Sequence, residues 1–141
     1  MTTNMSSTQT LSPELFRVID ANINRLKEGI RVIEDITRYL LNNKELSKKL
    51  KTLRHLAKYD NINSLLLHRD STNDVLRPTI ESELNRTDLQ SIVIANFKRA
   101  QESSRVLEEL FKLQDAKQSE TFKSMRYELY SLEKEIVLKQ M

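Results

Sequence analysis

A pattern of 14 residues, Ala-Asn-x-x-Arg-x-x-Glu-x-x-Arg-Val-x-Glu, occurs twice in this chain of 141 residues. The first copy spans residues 21–34, and the second spans residues 95–108, 74 positions later. Seven of the 14 aligned positions are identical, which is far more than unrelated helices share. Such self-similarity predicts two copies of one structural unit, and it constrains the fold more than any other feature of the chain.

A shorter echo follows each copy, with Leu53-Arg54-His55 after the first and Met125-Arg126-Tyr127 after the second. Most of the repeated positions are polar or charged. A duplicated helical unit needs to keep only its apolar spacing in order to fold. The retained Asn, Arg and Glu residues therefore indicate a site that is used twice.

The composition argues against an all-β fold. One Gly, two Pro and no Trp leave few residues for the tight turns of β-hairpins. With 38% hydrophobic residues, the chain can support one domain with one core. The absence of Cys excludes disulfides, thiolate metal sites and Cys nucleophiles, and it agrees with a reducing compartment.

The charge balance restricts the partners that the chain can have. Its 23 Lys and Arg residues exceed its 20 Asp and Glu residues by three, and the signs alternate along the chain. Nucleic-acid-binding proteins usually concentrate Lys and Arg on one face. We therefore expect no nucleic-acid partner, whereas a small anionic ligand fits this balance.

The N-terminal segment 1–12 is rich in Ser and Thr and is predicted to be a disordered tail. It has neither the basic start nor the apolar run of a signal peptide. No run of 18 apolar residues occurs elsewhere in the chain. We therefore expect a cytoplasmic protein without a membrane partner.

The hydrophobic spacing predicts four helices arranged as two hairpins. The first helix is expected to start with Ser12 as its N-cap and Pro13 in its first turn. Asn42-Asn43 is expected to end that helix and to cap the second. The other predicted boundaries are a break at residues 60–63, a capping box at Thr87-Asp88-Leu89-Gln90 that begins the third helix, and Ser119, after which the fourth begins.

The predicted core consists of one apolar stripe on each helix. The stripes are Ile19, Ile23, Leu26, Ile30, Ile33 and Leu40; Leu46, Leu50, Leu53 and Ala57; Val93, Phe97, Ala100, Ser104, Leu107 and Phe111; and Phe122, Met125, Leu129, Leu132 and Ile136. They predict an all-α fold, an up-down four-helix bundle of two pseudo-symmetric helical hairpins. The domain spans residues 13–141, with repeat units at about 13–67 and 87–139 and a long linker at 68–86.

A second stripe beside the core places polar side chains among apolar ones in both copies. The first copy has Asn22, Arg25 and Gly29, and the second has Asn96, Arg99 and Ser103 in the same register. The small residue that follows each Arg leaves room beside a guanidinium and an amide, as a ligand pocket would. The alternative interpretation is a structural Arg that pairs with a carboxylate at a dimer seam.

A ladder of charges with alternating sign lies on a further face of each repeated helix. The ladders are Glu28, Arg31, Asp35 and Arg38, and Glu102, Arg105, Glu109 and Lys112. Such ladders are usually solvated and stabilise a helix by a few tenths of a kcal/mol per pair. Glu28 and Glu102 could still turn toward the Arg three positions earlier and shape a pocket.

The linker contains Arg69-Asp70-x-x-x-Asp74-Val75. Two Asp residues four positions apart in a loop can hold Mg²⁺ while phosphate oxygens supply further ligands. Asp is also common in turns and caps, so this pair alone does not define a metal site. Arg54 and Arg126, at corresponding places on the second and fourth helices, could add positive charge.

Several other chemistries are excluded by the motifs that are missing. Neither GxxxxGK[ST] nor GxGxxG occurs, and one Gly cannot form a glycine-rich phosphate loop. A di-iron bundle requires Glu-x-x-His, whereas the repeated pattern here is Glu-x-x-Arg.

Five segments together resemble a known family: Val-Ile-Asp-Ala-Asn-x-Asn-Arg-x-x-Glu-Gly-x-Arg-Val-x-Glu-Asp, Leu-Arg-His, Arg-Asp-x-x-x-Asp-Val, Ala-Asn-x-Lys-Arg-Ala-Gln-Glu-x-x-Arg-Val-Leu-Glu-Glu and Arg-Tyr-x-Leu-Tyr. The family is the small monofunctional hydroxymethylpyrimidine-phosphate kinase of thiamine biosynthesis. It occurs alone or fused to thiamine-phosphate synthase. The resemblance covers about residues 15–135. The linker departs from the family pattern, because Asp74-Val75-Leu76 stands where Asp-Val-Gly is expected.

The resemblance implies that the substrates are ATP and 4-amino-5-hydroxymethyl-2-methylpyrimidine phosphate and that the product is the diphosphate. It implies that Arg25 and Arg99 grip phosphates, that Arg69 is a mobile clamp, and that Asp70 and Asp74 hold Mg²⁺. The remaining residues implied to bind substrate or nucleotide are Asn22, Glu28, Gly29, Arg31, Asn96, Glu102, Ser103, Arg105, Arg54 and Arg126.

A second hypothesis remains open beside the kinase. The chain could be a non-enzymatic helical adaptor or dimerisation module, in which structural Arg-Glu networks specify a homodimer. A homodimer is also compatible with the kinase.

Overall fold

The computed structural model describes residues 12–78 and 88–141, and every regular element in these ranges is a helix. The elements are α1 (Pro13–Asp35), which a π-helical segment (Ile36–Leu40) continues, α2 (Lys44–Leu56), α3 (Ile62–His68), α4 (Leu89–Phe111), and α5 (Ala116–Glu135), which a second π-helical segment (Ile136–Gln140) continues. The all-α prediction is therefore confirmed for the described residues. The up-down four-helix arrangement stays a prediction, as does the disordered tail, of which only Ser12 is described.

The boundaries of α1 and α2 follow the predicted capping signals. The Ser12 hydroxyl accepts a hydrogen bond from the Leu15 N–H at 3.2 Å, and Pro13 opens the helix. Asn42 adopts a φ of 53°, a left-handed conformation that Asn tolerates better than most residues and that turns the chain. Asn43 then caps α2 by accepting from the Leu46 N–H at 2.9 Å. The predicted break near residues 60–63 is confirmed, because α2 ends at Leu56 and α3 begins at Ile62.

The predicted starts of the third and fourth helices were wrong by one and four positions. Asp88 caps α4, with a capping box that Ser91 completes, whereas the predicted cap, Thr87, lies outside the described residues. Asp is at least as good an N-cap as Thr. Asp115 caps α5, so Ser119 lies inside the helix, where its hydroxyl donates to the Glu108 carbonyl at 2.8 Å.

The predicted stripes form the core, with one exception. Every predicted core position except Leu40 is buried, whereas Leu40 is 62% exposed. A π-helical turn carries more residues per turn than an α-helix, so the segment after Asp35 moves Leu40 off the buried face. Thr37 takes the inward position instead, and its hydroxyl donates to the Ile33 carbonyl at 2.8 Å.

Helices α1 and α4 cross closely at Gly29. A Cβ atom at Gly29 would lie 3.0 Å from the Asn96 carbonyl oxygen and 3.5 Å from the Ala100 Cβ. The glycine therefore allows two helix backbones to approach, and α4 fills the space that the sequence was expected to leave for a ligand. Helix α2 packs on α1, and α5 packs on α4.

None of the helices in the described residues is both long enough and apolar enough to cross a membrane.

Candidate functional site

A cleft lies where α1, α4 and the described part of the linker meet. Its first part, of about 680 Å³, is lined by α1 and residues 69–74. Its second part, of about 620 Å³, is lined mainly by α4. Both parts share Asn22, Arg25 and Asp74, so they form one continuous space, which we call the linker-side cleft. The predicted site residues that line it are Asn22, Arg25, Glu28, Arg69, Asp70, Asp74, Arg99, Glu102 and Ser103.

Arg25 from α1 and Arg99 from α4 both line this cleft, and both are exposed. Within residues 12–78 and 88–141, no carboxylate lies within salt-bridge distance of either guanidinium. Each side chain therefore keeps donors that can bind an anion.

The side-chain NH₂ group of each repeated Asn donates a hydrogen bond within its own helix. The Asn22 amide donates to the Val18 carbonyl at 2.9 Å, and the Asn96 amide donates to the Ile92 carbonyl at 2.8 Å. This bond leaves the side-chain oxygen as an acceptor. Asn22 is buried and lines both parts of the cleft, whereas Asn96 is half-buried and is not among the lining residues of either part.

Arg69 is held to α1 by Asp20, a residue that the sequence interpretation missed. The guanidinium donates to the two Asp20 carboxylate oxygens at 2.7 and 2.6 Å, and this bonding raises the pKa of Arg69. The Asp20 side chain is buried, and it also accepts from the Asn24 amide at 3.2 Å. The available signal was the position of Asp20 directly after the core residue Ile19. A carboxylate that lies at the edge of the core is expected to need a cationic partner.

Asp70 and Asp74 line the cleft from the linker. Asp70 accepts from the Asn73 amide at 2.8 and 3.0 Å, which lowers the pKa of the Asp70 carboxyl. One Asp74 carboxylate oxygen accepts from the Leu76 N–H at 3.0 Å. Both residues are exposed, so their carboxylates retain lone pairs for a ligand.

The carboxylate pair fits Mg²⁺ only in combination with other oxygen ligands. In the described ranges, no group of three or more His, Cys, Asp or Glu residues could hold a metal ion. Mg²⁺ is commonly bound through one or two carboxylates plus substrate phosphates and waters. The donor set therefore suits a metal ion that arrives with a phosphate ligand.

Arg54 and Arg126 do not line the cleft, and each pairs with a buried carboxylate instead. Arg54 donates to Glu34 at 2.6 and 3.2 Å, and Arg126 donates to Glu108 at 3.0 and 3.2 Å. Hydrogen bonding to Glu34 raises the pKa of Arg54, and the Tyr130 hydroxyl together with Glu108 raises that of Arg126. Their expected contribution of free positive charge to the site is therefore not supported.

Glu34 and Glu108 are buried structural partners of these two arginines, and the sequence interpretation did not identify them. Each is the last residue of one copy of the repeated pattern. Their partners, Arg54 and Arg126, repeat at nearly the same interval. Because the two glutamates and the two arginines recur at nearly equal intervals, the sequence did contain a signal for one Glu–Arg pair within each hairpin.

The predicted charge ladders are solvated. Arg31 lies 3.4 Å from Asp35 and Arg105 lies 3.8 Å from Glu109, and all four side chains are about half exposed. Glu109 also pairs with Lys112, which lowers the pKa of Glu109. Neither Arg31 nor Arg105 lines the cleft, and Gly29 lies beneath α4.

A sequence model of the ThiD2 family matches residues 17–135 of this chain. Similar curated proteins are each named thiamine-phosphate synthase: the protein of Synechocystis is 40% identical over 118 residues, that of Nostoc punctiforme is 38% identical over 125 residues, and that of Rhodopirellula baltica is 36% identical over 134 residues. These alignments cover 83%, 87% and 91% of this chain but only 34%, 35% and 36% of the relatives. The chain thus spans about a third of their length. No solved structure matches.

Proposed function

We propose that this chain, which belongs to the ThiD2 family, phosphorylates 4-amino-5-hydroxymethyl-2-methylpyrimidine phosphate with ATP and releases the diphosphate. The names of its relatives support a place in thiamine biosynthesis. Because the chain spans only about a third of those proteins, their synthase name does not identify the reaction of this segment.

The observation that carries the proposal is the pair of repeated arginines in the linker-side cleft. Arg25 and Arg99 come from different helices, line one space and have no described carboxylate partner. A kinase whose acceptor is a phosphate must bring two polyanions together, and catalysis of phosphoryl transfer rests mainly on positioning and on cationic groups. Guanidiniums are well suited to this task because they bind phosphate through two parallel hydrogen bonds.

The chemistry requires little of a general base. An oxygen of the substrate phosphate bonds to the γ-phosphorus of ATP while the bond from that phosphorus to the β,γ-bridging oxygen breaks, so ADP leaves. The second pKa of a phosphate monoester is about 6, so most of this nucleophile is ionised at neutral pH. Arg25 and Arg99 would offset the repulsion between the substrates, and Asn22 would orient one of them through its free amide oxygen.

Asp70 and Asp74 would hold Mg²⁺ bound to the nucleotide. The ion would neutralise phosphate charge that the arginines do not reach. We do not assign Arg69 the role of a mobile clamp, because both carboxylate oxygens of Asp20 bind its guanidinium. Arg69 is therefore a positioning residue, which holds the linker and the adjacent Asp70 against α1.

The second candidate, a non-enzymatic helical module, is favoured by one specific observation. The structure contains Arg-Glu ion pairs, although not at a dimer seam, at Glu34–Arg54 and Glu108–Arg126. These pairs join α1 to α2 and α4 to α5 within one chain. They account for the fold of a protomer, and a homodimer stays a proposal.

A coupled ADP-release assay distinguishes the two candidates. Purified protein, ATP, Mg²⁺ and the pyrimidine monophosphate should release ADP, and omission of the pyrimidine should abolish the release. The variant with both Arg25→Ala and Arg99→Ala is the matched control for a contaminating kinase. A folded wild-type protein, verified by circular dichroism, with no turnover above that control would favour the helical module.

A further inference from the structure

We propose that the two parts of the linker-side cleft are separate subsites. The phosphates of the nucleotide bind in the part formed by α1 and the linker, the pyrimidine phosphate binds in the part formed by α4, and Arg25 lies at the junction. This inference rests on the proposed kinase function and assigns a substrate to each copy of the repeated motif.

The size of the cleft supports two ligands instead of one. Its parts measure about 680 and 620 Å³, and ligand pockets typically measure about 300–1,000 Å³ each. Each part alone is therefore large enough for one small substrate. Asn22, Arg25 and Asp74, the residues shared by both parts, mark the place where the two ligands would meet.

The α1 part has the groups that a metal–nucleotide complex requires. Asp70 lines this part and not the other, while Asp74 lines both. Arg17 also lines it, and the described residues contain no salt-bridge partner for Arg17. The charge of Arg69 is already balanced by Asp20. Arg17 and Arg25 are therefore the cations left for the nucleotide phosphates, beside the carboxylates for its metal ion.

The α4 part suits a small ring that carries a methyl group, an amine and a phosphate. Leu76, Ala95 and Val106 supply apolar walls. The Glu102 carboxylate can accept a hydrogen bond from the ring amine. Lys98 pairs with Glu133 at 3.3 Å, which leaves Arg99 as the cation for the substrate phosphate.

The linker explains why two equivalent arginines would take different ligands. Arg25 and Arg99 occupy the same position in the two motif copies. Among the linker residues, however, Asp70 lines only the α1 part and Leu76 only the α4 part, while Asp74 lines both. The linker thus adds a second carboxylate, that of Asp70, to the α1 part and an apolar wall to the α4 part, so two copies of one motif acquire different preferences.

Substrate-specific kinetics test this division. With ATP and the pyrimidine phosphate varied separately, Arg17→Ala and Asp70→Asn should raise the KM for ATP at least about tenfold, the scale of one lost charge-assisted contact. The KM for the pyrimidine phosphate should stay within about twofold. Arg99→Ala and Val106→Asp should give the converse result, and Arg25→Ala should reduce kcat. Lys27→Ala, an exposed α1 substitution outside the cleft, is the matched control.

Calorimetric titration of each ligand alone separates a failure of the division from a failure of the proposed function. Wild-type protein should bind a non-hydrolysable Mg²⁺–ATP analogue and the pyrimidine phosphate independently, and Asp70→Asn should weaken the first ligand only. If both ligands bind and each variant weakens only one of them, but no turnover occurs, the kinase proposal is contradicted and the two subsites are supported. The division is overturned if the variants lower the affinity for both ligands equally or show the opposite selectivity. It is also overturned if folded wild-type protein binds neither ligand.

Discussion

Arg54 and Arg126 lie in the hairpins and are bound by buried carboxylates, whereas Arg25 and Arg99 lie in the linker-side cleft without a described carboxylate partner. Both pairs of arginines repeat along the chain, so repetition alone does not distinguish them. Their surroundings do, because a buried guanidinium must be paired within the protein, while an exposed one can remain available to a ligand. The paired arginines stabilise the fold, and the exposed arginines of the cleft are those that we assign to phosphate binding.

The largest effect should come from removing a buried arginine. Arg126→Ala leaves Glu108 buried without its partner, and breaking a buried pair costs about 3–5 kcal/mol of unfolding free energy. Arg54→Ala should act in the same direction through Glu34. Urea denaturation followed by circular dichroism measures this cost.

Replacing both partners by apolar residues is the matched control for that experiment. The double variant Arg126→Met with Glu108→Leu leaves no unpaired charge, so it should lose much less stability than Arg126→Ala. If Arg126→Ala alone loses less than about 0.5 kcal/mol, a typical surface effect, the ion pair is not a structural requirement and the comparison between the two sets of arginines fails.

The next largest effect concerns the choice of substrate by the cleft arginines. The free hydroxymethylpyrimidine lacks the phosphate, so its complex loses the charge-assisted hydrogen bonds to the two arginines, each of which contributes about 1.5–3 kcal/mol. Its hydroxyl nucleophile also needs a general base. We expect kcat/KM for the phosphate to exceed that for the alcohol by roughly a thousandfold or more. Comparable ADP release from both substrates would contradict this mechanism, even for an active kinase.

Removing one cleft arginine should affect activity more than stability. Arg25→Ala and Arg99→Ala should each lower kcat/KM at least about tenfold, as expected for one charge-assisted contact. Because both residues are exposed, the unfolding free energy should change by about 0.5 kcal/mol or less. Steady-state kinetics and urea denaturation on the same samples test both statements. If the variants are largely unfolded but their remaining folded molecules turn over at the normal rate, these arginines are structural.

The smallest effect should come from the solvated ladders. Arg31→Ala and Arg105→Ala each remove an ion pair whose side chains are about half exposed, and such pairs contribute about 0.3–0.5 kcal/mol. The small loss should shrink further in high salt because the charges are screened. A loss above about 2 kcal/mol for either variant would place that arginine with Arg54 and Arg126.

The sequence was most informative about features that depend on near neighbours. Ser12 and Asn43 were identified as capping residues because a cap bonds N–H groups two or three residues later. The core stripes were identified because the helical period brings residues three and four positions apart to one face. Leu40 was the exception, since the π-helical turn after Asp35 changed that period.

The candidate site was predicted in part. Arg25, Arg99, Asp70 and Asp74 were selected from the repeat, the linker and the family resemblance, and the structure places them in one cleft. Their functional roles stay predictions. Gly29 was misread because the sequence shows a missing side chain but does not show whether a ligand or another helix fills the space.

By itself, the sequence determined the helical class of the described residues, their core faces and the duplication of the Asn-Arg-Glu pattern, because these features arise from local spacing. The tertiary structure decided which arginines are neutralised and which face the cleft. Arg54 and Glu34 are 20 residues apart, and Arg69 and Asp20 are 49 residues apart. Whether such residues pair depends on how helices and linker pack, since burial makes an unpaired charge costly.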